Sequence, residues 1–127
     1  MRKERTRLSD EYVSLSLAKK LKAKGFNERC RFFYFKREKH YTPIFSKDFV
    51  AGEGAILIPT IYQVMRWLIK HPKNINIFVG FDIEMKYYYD LWILDDDNEM
   101  TPAGTGWGFK TYRNAIQHGI LNALNYI

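Results

Sequence analysis

The chain has 127 residues, 46% of them hydrophobic and 27% charged, a composition that argues against a disordered resting state and predicts one domain over residues 1–127. Cys30 is the only cysteine, which excludes an intrachain disulfide and predicts a cytoplasmic protein. The net charge is +6, and no apolar run approaches the ~20 residues of a membrane helix, so we expect neither membrane insertion nor secretion.

The positive charge is confined to the first half of the chain. Residues 1–50 hold fourteen Lys and Arg against six Asp and Glu, a net charge of +8, whereas residues 51–127 hold six against eight, a net charge of −2. Residues 1–10 are predicted to be a flexible basic arm. An asymmetry of this kind points toward contact with a polyanion, and it is also common on surfaces that are merely solvated.

The first helix is predicted just after this arm. Ser14 is placed to cap its N-terminus, and Gly25 supplies the left-handed residue that ends it, with Phe26 folding back on Leu21. The aromatic run over residues 30–36 then predicts a strand, in which Cys30 is a core thiol. Residues 37–54 are predicted to be loop, with a short strand near residues 41–45.

The second half of the chain begins with a helix that is capped at Thr60 and stopped by Pro72. Alternation over residues 75–83 and an aromatic run over residues 87–94 predict two strands, and the short gap between them requires an antiparallel hairpin. Residues 95–108 are predicted to be a polar loop. A last helix follows an N-cap at Thr111 and presents small residues, among them Gly119, to the sheet.

This order, α-β-(loop)-α-β-β-α, predicts an α+β domain in which helices pack on one face of a largely antiparallel sheet. A sheet this small leaves an edge strand with which a second copy can pair, so a homo-oligomer is compatible with the sequence.

Several fold-forming segments together resemble a family. They are residues 13–21, Gly25-Phe26, Cys30, Ile58-Pro59-Thr60, Trp67-Leu68, Tyr87-Tyr88-Tyr89 and residues 112–116. The chain is similar in these segments to small uncharacterised proteins encoded by phages and integrated elements of Bacteroidetes-type bacteria. The resemblance implies a mobile-element setting and no mechanism. Asn27 departs from the pattern, because the family usually has an acidic residue after Gly-Phe.

Catalytic and metal-binding motifs are weak in this sequence. Asp95, Asp97 and Glu99 alternate like the start of a calcium loop, but Met100 and Gly106 stand where an EF-hand needs Gly and Glu. The three histidines of the chain are too far apart in the sequence to indicate a metal site, and Cys30 has no visible catalytic partner. We therefore predict no enzyme activity, no catalytic residue, no metal and no cofactor.

Two binding functions remain. The leading hypothesis is a non-enzymatic protein-interaction protein with an unknown protein partner, in which exposed aromatic residues mark the interface: Trp67, Trp92 and Trp107. The alternative is a nucleic-acid-binding accessory protein whose basic half neutralises phosphates. The candidate contacts for nucleic acid are Arg2, Lys3, Arg5, Arg7, Lys19, Lys20, Lys22, Lys24, Arg29, Arg31, Lys36, Arg37 and Lys39.

Overall fold

The computed structural model describes residues 8–44 and 54–127, and in these residues three α-helices and six β-strands form an α+β fold. The strands form two three-stranded antiparallel sheets, where the sequence predicted one. The chain divides into two compact units, Met1–Thr60 and Ile61–Ile127, which we call the first and the second unit.

The first unit contains helix α1 (Leu15–Ala23) and strands β1 (Phe32–Phe35), β2 (His40–Pro43) and β3 (Ala55–Ile58), in the sheet order β2-β1-β3. On β3 the side chains of Ile56 and Ile58 are almost fully buried. The third strand was missed by the sequence reasoning, because a run of four apolar residues is too short to show periodicity.

Both ends of α1 have the caps that the sequence predicts. The Ser14 hydroxyl accepts a hydrogen bond from the Leu17 amide at 3.2 Å. At the other end Gly25 has a φ of +92°, and the Phe26 amide donates to the Leu21 carbonyl at 3.0 Å, as in a Schellman closure. Leu17, Ala18 and Leu21 form its buried stripe.

The second unit contains α2 (Ile61–Lys70), β4 (Asn76–Phe81), β5 (Tyr87–Leu94), β6 (Met100–Phe109) and α3 (Tyr112–Ala123), followed by a 3₁₀ turn (Leu124–Tyr126). The sheet order β4-β5-β6 makes an antiparallel meander, so the predicted hairpin is confirmed. The Thr111 hydroxyl caps α3 by accepting from the Asn114 amide at 3.1 Å.

Helix α3 covers one face of the second sheet, and the core of this unit lies between them. Ile77 and Leu91 from the sheet and Ile116 and Ile120 from the helix are buried. Gly119 lies at the closest approach, since a Cβ there would come within 2.8 Å of Ile77 Cγ2. Fully burying a side chain of this size contributes roughly 1.5–3 kcal/mol, so the four side chains of this layer stabilise the unit.

The prediction of a loop over residues 95–108 is wrong from Met100 onward, where β6 begins. Pro102 and three glycines give this segment poor strand propensity. Proline is tolerated because β6 is an edge strand. A Cβ at Gly104 or Gly106 would meet the side chain of Asn122 at 2.4 Å or the ring of Tyr89 at 2.5 Å, so glycine fits both positions without any shift of these neighbours.

The flexible arm predicted over residues 1–10 cannot extend as far as expected. Leu8 is buried, so an arm over residues 1–10 cannot include it, and residues 1–7 lie outside the described residues. The predicted short strand near residues 41–45 corresponds to β2, although Phe45 is not among the described residues. None of the helices in the described segments has the length and hydrophobicity required to cross a bilayer.

Candidate binding surface

The second sheet has one face covered by α3 and a second face, which we call the open face. Strand alternation assigns residues to each side: Ile77, Tyr89 and Leu91 are buried on the α3 side, and their sequence neighbours point the other way. On the open face the strand register brings Asn76 opposite Trp92 and Phe78 opposite Asp90.

Asp90 lies at the centre of the open face. Its partners in the strand register are Phe78 on β4 and Thr105 on β6. Its neighbours on the same face of β5 are Tyr88 and Trp92, two residues away on either side. The Thr105 hydroxyl lies 3.0 Å from Asp90 Oδ1 and 3.0 Å from the Tyr89 carbonyl oxygen. The single hydroxyl proton serves one of these two acceptors at a time, and the hydroxyl lies beside the carboxylate among the aromatic rings.

Trp107 belongs to the same face. A Cβ on Gly106 would meet the ring of Tyr89, so Gly106 points to the α3 side and its neighbour Trp107 points to the open side. Its side chain is 72% exposed and that of Phe78 is 58% exposed. Large rings with this much water contact on one sheet face mark an interaction surface more often than an ordinary exterior.

The charge on the open face comes from one group. Across residues 76–81, 87–94 and 100–109, the three strands of this sheet, Asp90 is the single charged residue. A face with a carboxylate and no Lys or Arg repels phosphate, and aromatic rings attract cations to their faces. The surface therefore suits a cationic group flanked by apolar groups.

The structure brings together two of the three tryptophans that the sequence singled out. Trp92 and Trp107 lie on adjacent strands of the open face, whereas Trp67 lies on α2. Trp67 and Trp92 are both half-buried, and Trp107 is exposed. Phe78, Tyr88 and Asp90 were missed as site residues. For Phe78 a signal existed, because it stands at an even position in a strand whose odd positions alternate inward.

The basic residues predicted to contact nucleic acid belong to the first unit. The nine that are described are all exposed: Lys19, Lys20, Lys22, Lys24, Arg29, Arg31, Lys36, Arg37 and Lys39. The other four lie outside the described residues: Arg2, Lys3, Arg5 and Arg7.

Lys22 has a structural contact that the sequence did not indicate. The Gly54 carbonyl bonds to the Lys36 amide of the sheet, so the next carbonyl, that of Ala55, points to the free edge of β3. The Lys22 ammonium donates to this carbonyl at 2.9 Å. Lys22 therefore helps to attach α1 to the sheet edge.

Cys30 is a buried thiol, as the sequence predicts. Its Sγ donates to the Glu28 carbonyl at 3.3 Å. Burial raises the pKa of the Cys30 thiol to about 12, and the nearby Glu28 carboxylate adds to the shift. Because only a very small fraction of this thiol is deprotonated at neutral pH, Cys30 is a poor nucleophile.

The acidic run that resembled a calcium loop forms a hairpin turn between β5 and β6. Asp95 Oδ1 accepts hydrogen bonds from the amides of Asp97 and Glu99, both at 2.9 Å. Within residues 8–44 and 54–127, no group of three or more His, Cys, Asp and Glu side chains converges in a way that would hold a metal ion.

No protein-family model matches this sequence, and neither the curated proteins nor the solved structures contain a significant match to it.

Proposed function

We propose that this protein is a binding protein whose second unit captures a segment of a partner protein on its open face. The observation that carries the proposal is the position of Asp90, a carboxylate beside the Thr105 hydroxyl at the centre of a face formed by Phe78, Tyr88 and the two tryptophans. The mobile-element setting implied by the family resemblance belongs to the same proposal.

The partner segment carries an Arg or Lys side chain between apolar residues. A guanidinium can pair with Asp90 and stack on the neighbouring rings in one pose, and Arg is better suited to this than Lys because its group is planar. Exposed tryptophan and tyrosine rings supply contact area at a small cost in side-chain entropy, and such residues dominate measured interface energies.

Site-specific photo-crosslinking tests the proposal. A photoreactive phenylalanine analogue at Phe78 or at Trp107 should crosslink one and the same protein in native lysate. The same analogue at Tyr62, an aromatic residue of α2 with 68% of its side chain exposed, is the matched control and should not. Equal crosslinking from Tyr62 would contradict the proposed face.

A second function is supported by a different observation, the exposure of all nine described basic candidates on the first unit. That surface suits contact with phosphates, and it predicts DNA or RNA binding that weakens steeply with salt. The test is to neutralise Lys19, Lys20 and Lys24 together, leaving Lys22 intact because of its bond to Ala55. If the affinity of this variant for DNA or RNA at low salt is unchanged, these lysines of α1 do not contribute to nucleic-acid binding.

A further inference from the structure

Two hairpin turns of the second unit have the same backbone structure. In the first, between β4 and β5, Asp82 Oδ1 accepts from the amides of Glu84 and Lys86 at 2.9 and 3.1 Å. In the second, Asp95 Oδ1 accepts from residues 97 and 99 in the same way. The fourth residue is left-handed in both, with a φ of 63° at Met85 and 62° at Asn98.

The two turns differ in what they expose. The β5–β6 turn has Asp96 and Asn98 where the β4–β5 turn has Ile83 and Met85. Asn is among the few residues that adopt the left-handed region readily, so the turn itself favours Asn over Met at this position. Ile83 is 100% exposed and Met85 is 74% exposed, so the fold does not use these side chains.

More apolar surface adjoins this tip at the base of the hairpin. Phe81 contacts Tyr87 with ring centroids 4.8 Å apart, and Tyr87 contacts Tyr112 at 6.3 Å. Phe81 and Tyr112 are each about half exposed. The hairpin therefore ends in an exposed apolar tip formed by Ile83 and Met85, which we call the knob, and a concave surface is the kind best shaped to cover it.

The first unit has a concave surface of suitable size and charge. A cavity of about 250 Å³ is lined by Lys22, Gly25, Phe26, Asn27, Ala55 and Leu57. It is smaller than the roughly 300–1,000 Å³ of sites that hold drug-sized ligands, and it suits one or two aliphatic side chains. Its lining is mostly apolar and includes Lys22, whose ammonium donates to the carbonyl of Ala55, another lining residue.

We propose that the knob of one copy, Ile83 with Met85, inserts into this cavity of a second copy. The two surfaces complement each other in shape, in apolar character and in charge, because the Glu84 carboxylate lies between the two anchors and the cavity carries Lys22. A bilayer is a poorer occupant, since the turn carries Asp82, Glu84 and Lys86, a net charge of −1, and interfacial segments are normally basic.

The contact joins different surfaces, so it is head-to-tail and adds further copies unless the rotation closes a ring. Sedimentation velocity from about 1 µM to about 1 mM, the range expected for a contact of a few side chains, should show a sedimentation coefficient that rises with concentration. Raising the salt or substituting Glu84→Lys should weaken the association several-fold.

Variants of each surface make the test specific. The double substitution Ile83→Asp with Met85→Asn gives the knob the residues of the other turn, so it should fold and remain monomeric. Asn27→Trp, at an exposed cavity residue, should block the cavity and also give a monomer.

Mixing the two variants should restore a dimer and nothing larger, because each retains one intact surface. Tyr62→Asn is the control and should associate like the unmodified protein.

Several outcomes would overturn the proposal. A protein that stays monomeric up to about 1 mM has no such contact. Association that persists in the knob variant, or a variant mixture that stays monomeric, places any contact elsewhere. Binding of the monomer to phosphatidylglycerol vesicles that is lost in the knob variant would show that a bilayer is the occupant.

Discussion

Met85 and Asn98 hold the same left-handed position in two turns with the same hydrogen bonds, one with a residue that disfavours this conformation and one with a residue that accepts it. Substituting each residue by the other should therefore change the stability of the protein in opposite directions. Met85→Asn should raise the free energy of unfolding by about 0.5–1 kcal/mol, and Asn98→Met should lower it by a similar amount. Urea denaturation of the two variants would measure both changes, and a destabilised Met85→Asn protein would show that Met85 makes contacts beyond this turn.

Gly119 should tolerate no side chain. An added Cβ would lie 2.8 Å from Ile77 Cγ2 and 3.3 Å from the Tyr89 ring, and the branched Ile77 has little freedom to move. Gly119→Ala should therefore lower the free energy of unfolding by about 1–3 kcal/mol, even though Ala is the better helix former. Asn114→Ala, at an exposed position of the same helix, is the control and should change it by less than about 0.5 kcal/mol.

Cys30 should be unreactive in the folded protein. Because the pKa of its thiol is raised to about 12, labelling by iodoacetamide at pH 8 should be far slower than in urea, where the thiol titrates near its ordinary value. Folding favours the protonated thiol, so this contribution to stability is present at neutral pH and is lost as pH rises from about 9 toward 12. Rapid labelling of the native protein would contradict the burial of this group.

Lys22 should contribute to stability where its neighbour Lys20 does not. Removing the ammonium leaves the edge carbonyl of Ala55 without this donor, and a bond of this kind is worth about 0.5–1.5 kcal/mol. Thermal denaturation of Lys22→Ala and Lys20→Ala, two exposed positions on α1, compares this bond with a simple loss of charge. Equal melting temperatures would show that the bond contributes nothing measurable.

Much of the fold was predictable because its signals are local. Ser14, Gly25 and Thr111 cap helices through contacts within a few residues, and the hairpin of β4 and β5 follows from alternation and a short gap. Strand β6 was not predictable in this way. Its glycines suit contacts with Tyr89 and Asn122, which come from other elements and leave no periodic signal in the strand itself.

The binding surface was predictable only in part. The sequence singled out Trp92 and Trp107 by residue type, but their common face depends on the register of β5 and β6. Asp90 was not singled out, because it lies in an aromatic run and belongs to no recognisable motif. Its central position became visible only when Phe78 and Thr105 were placed opposite it on the two flanking strands.

The most direct measurement of the central claim is an NMR titration with two small peptides, acetyl-Leu-Arg-Leu-amide and the same peptide with citrulline, the neutral isostere of Arg. The open face should respond to the Arg peptide with shifts centred on Asp90 and the Trp107 indole. The citrulline peptide should bind about tenfold more weakly, the loss expected for one charge-assisted hydrogen bond. Asp90→Asn should remove the difference, and Asp96→Asn, in the β5–β6 turn, should not. Equal binding of both peptides, or shifts confined to other surfaces, would contradict the assignment of this face.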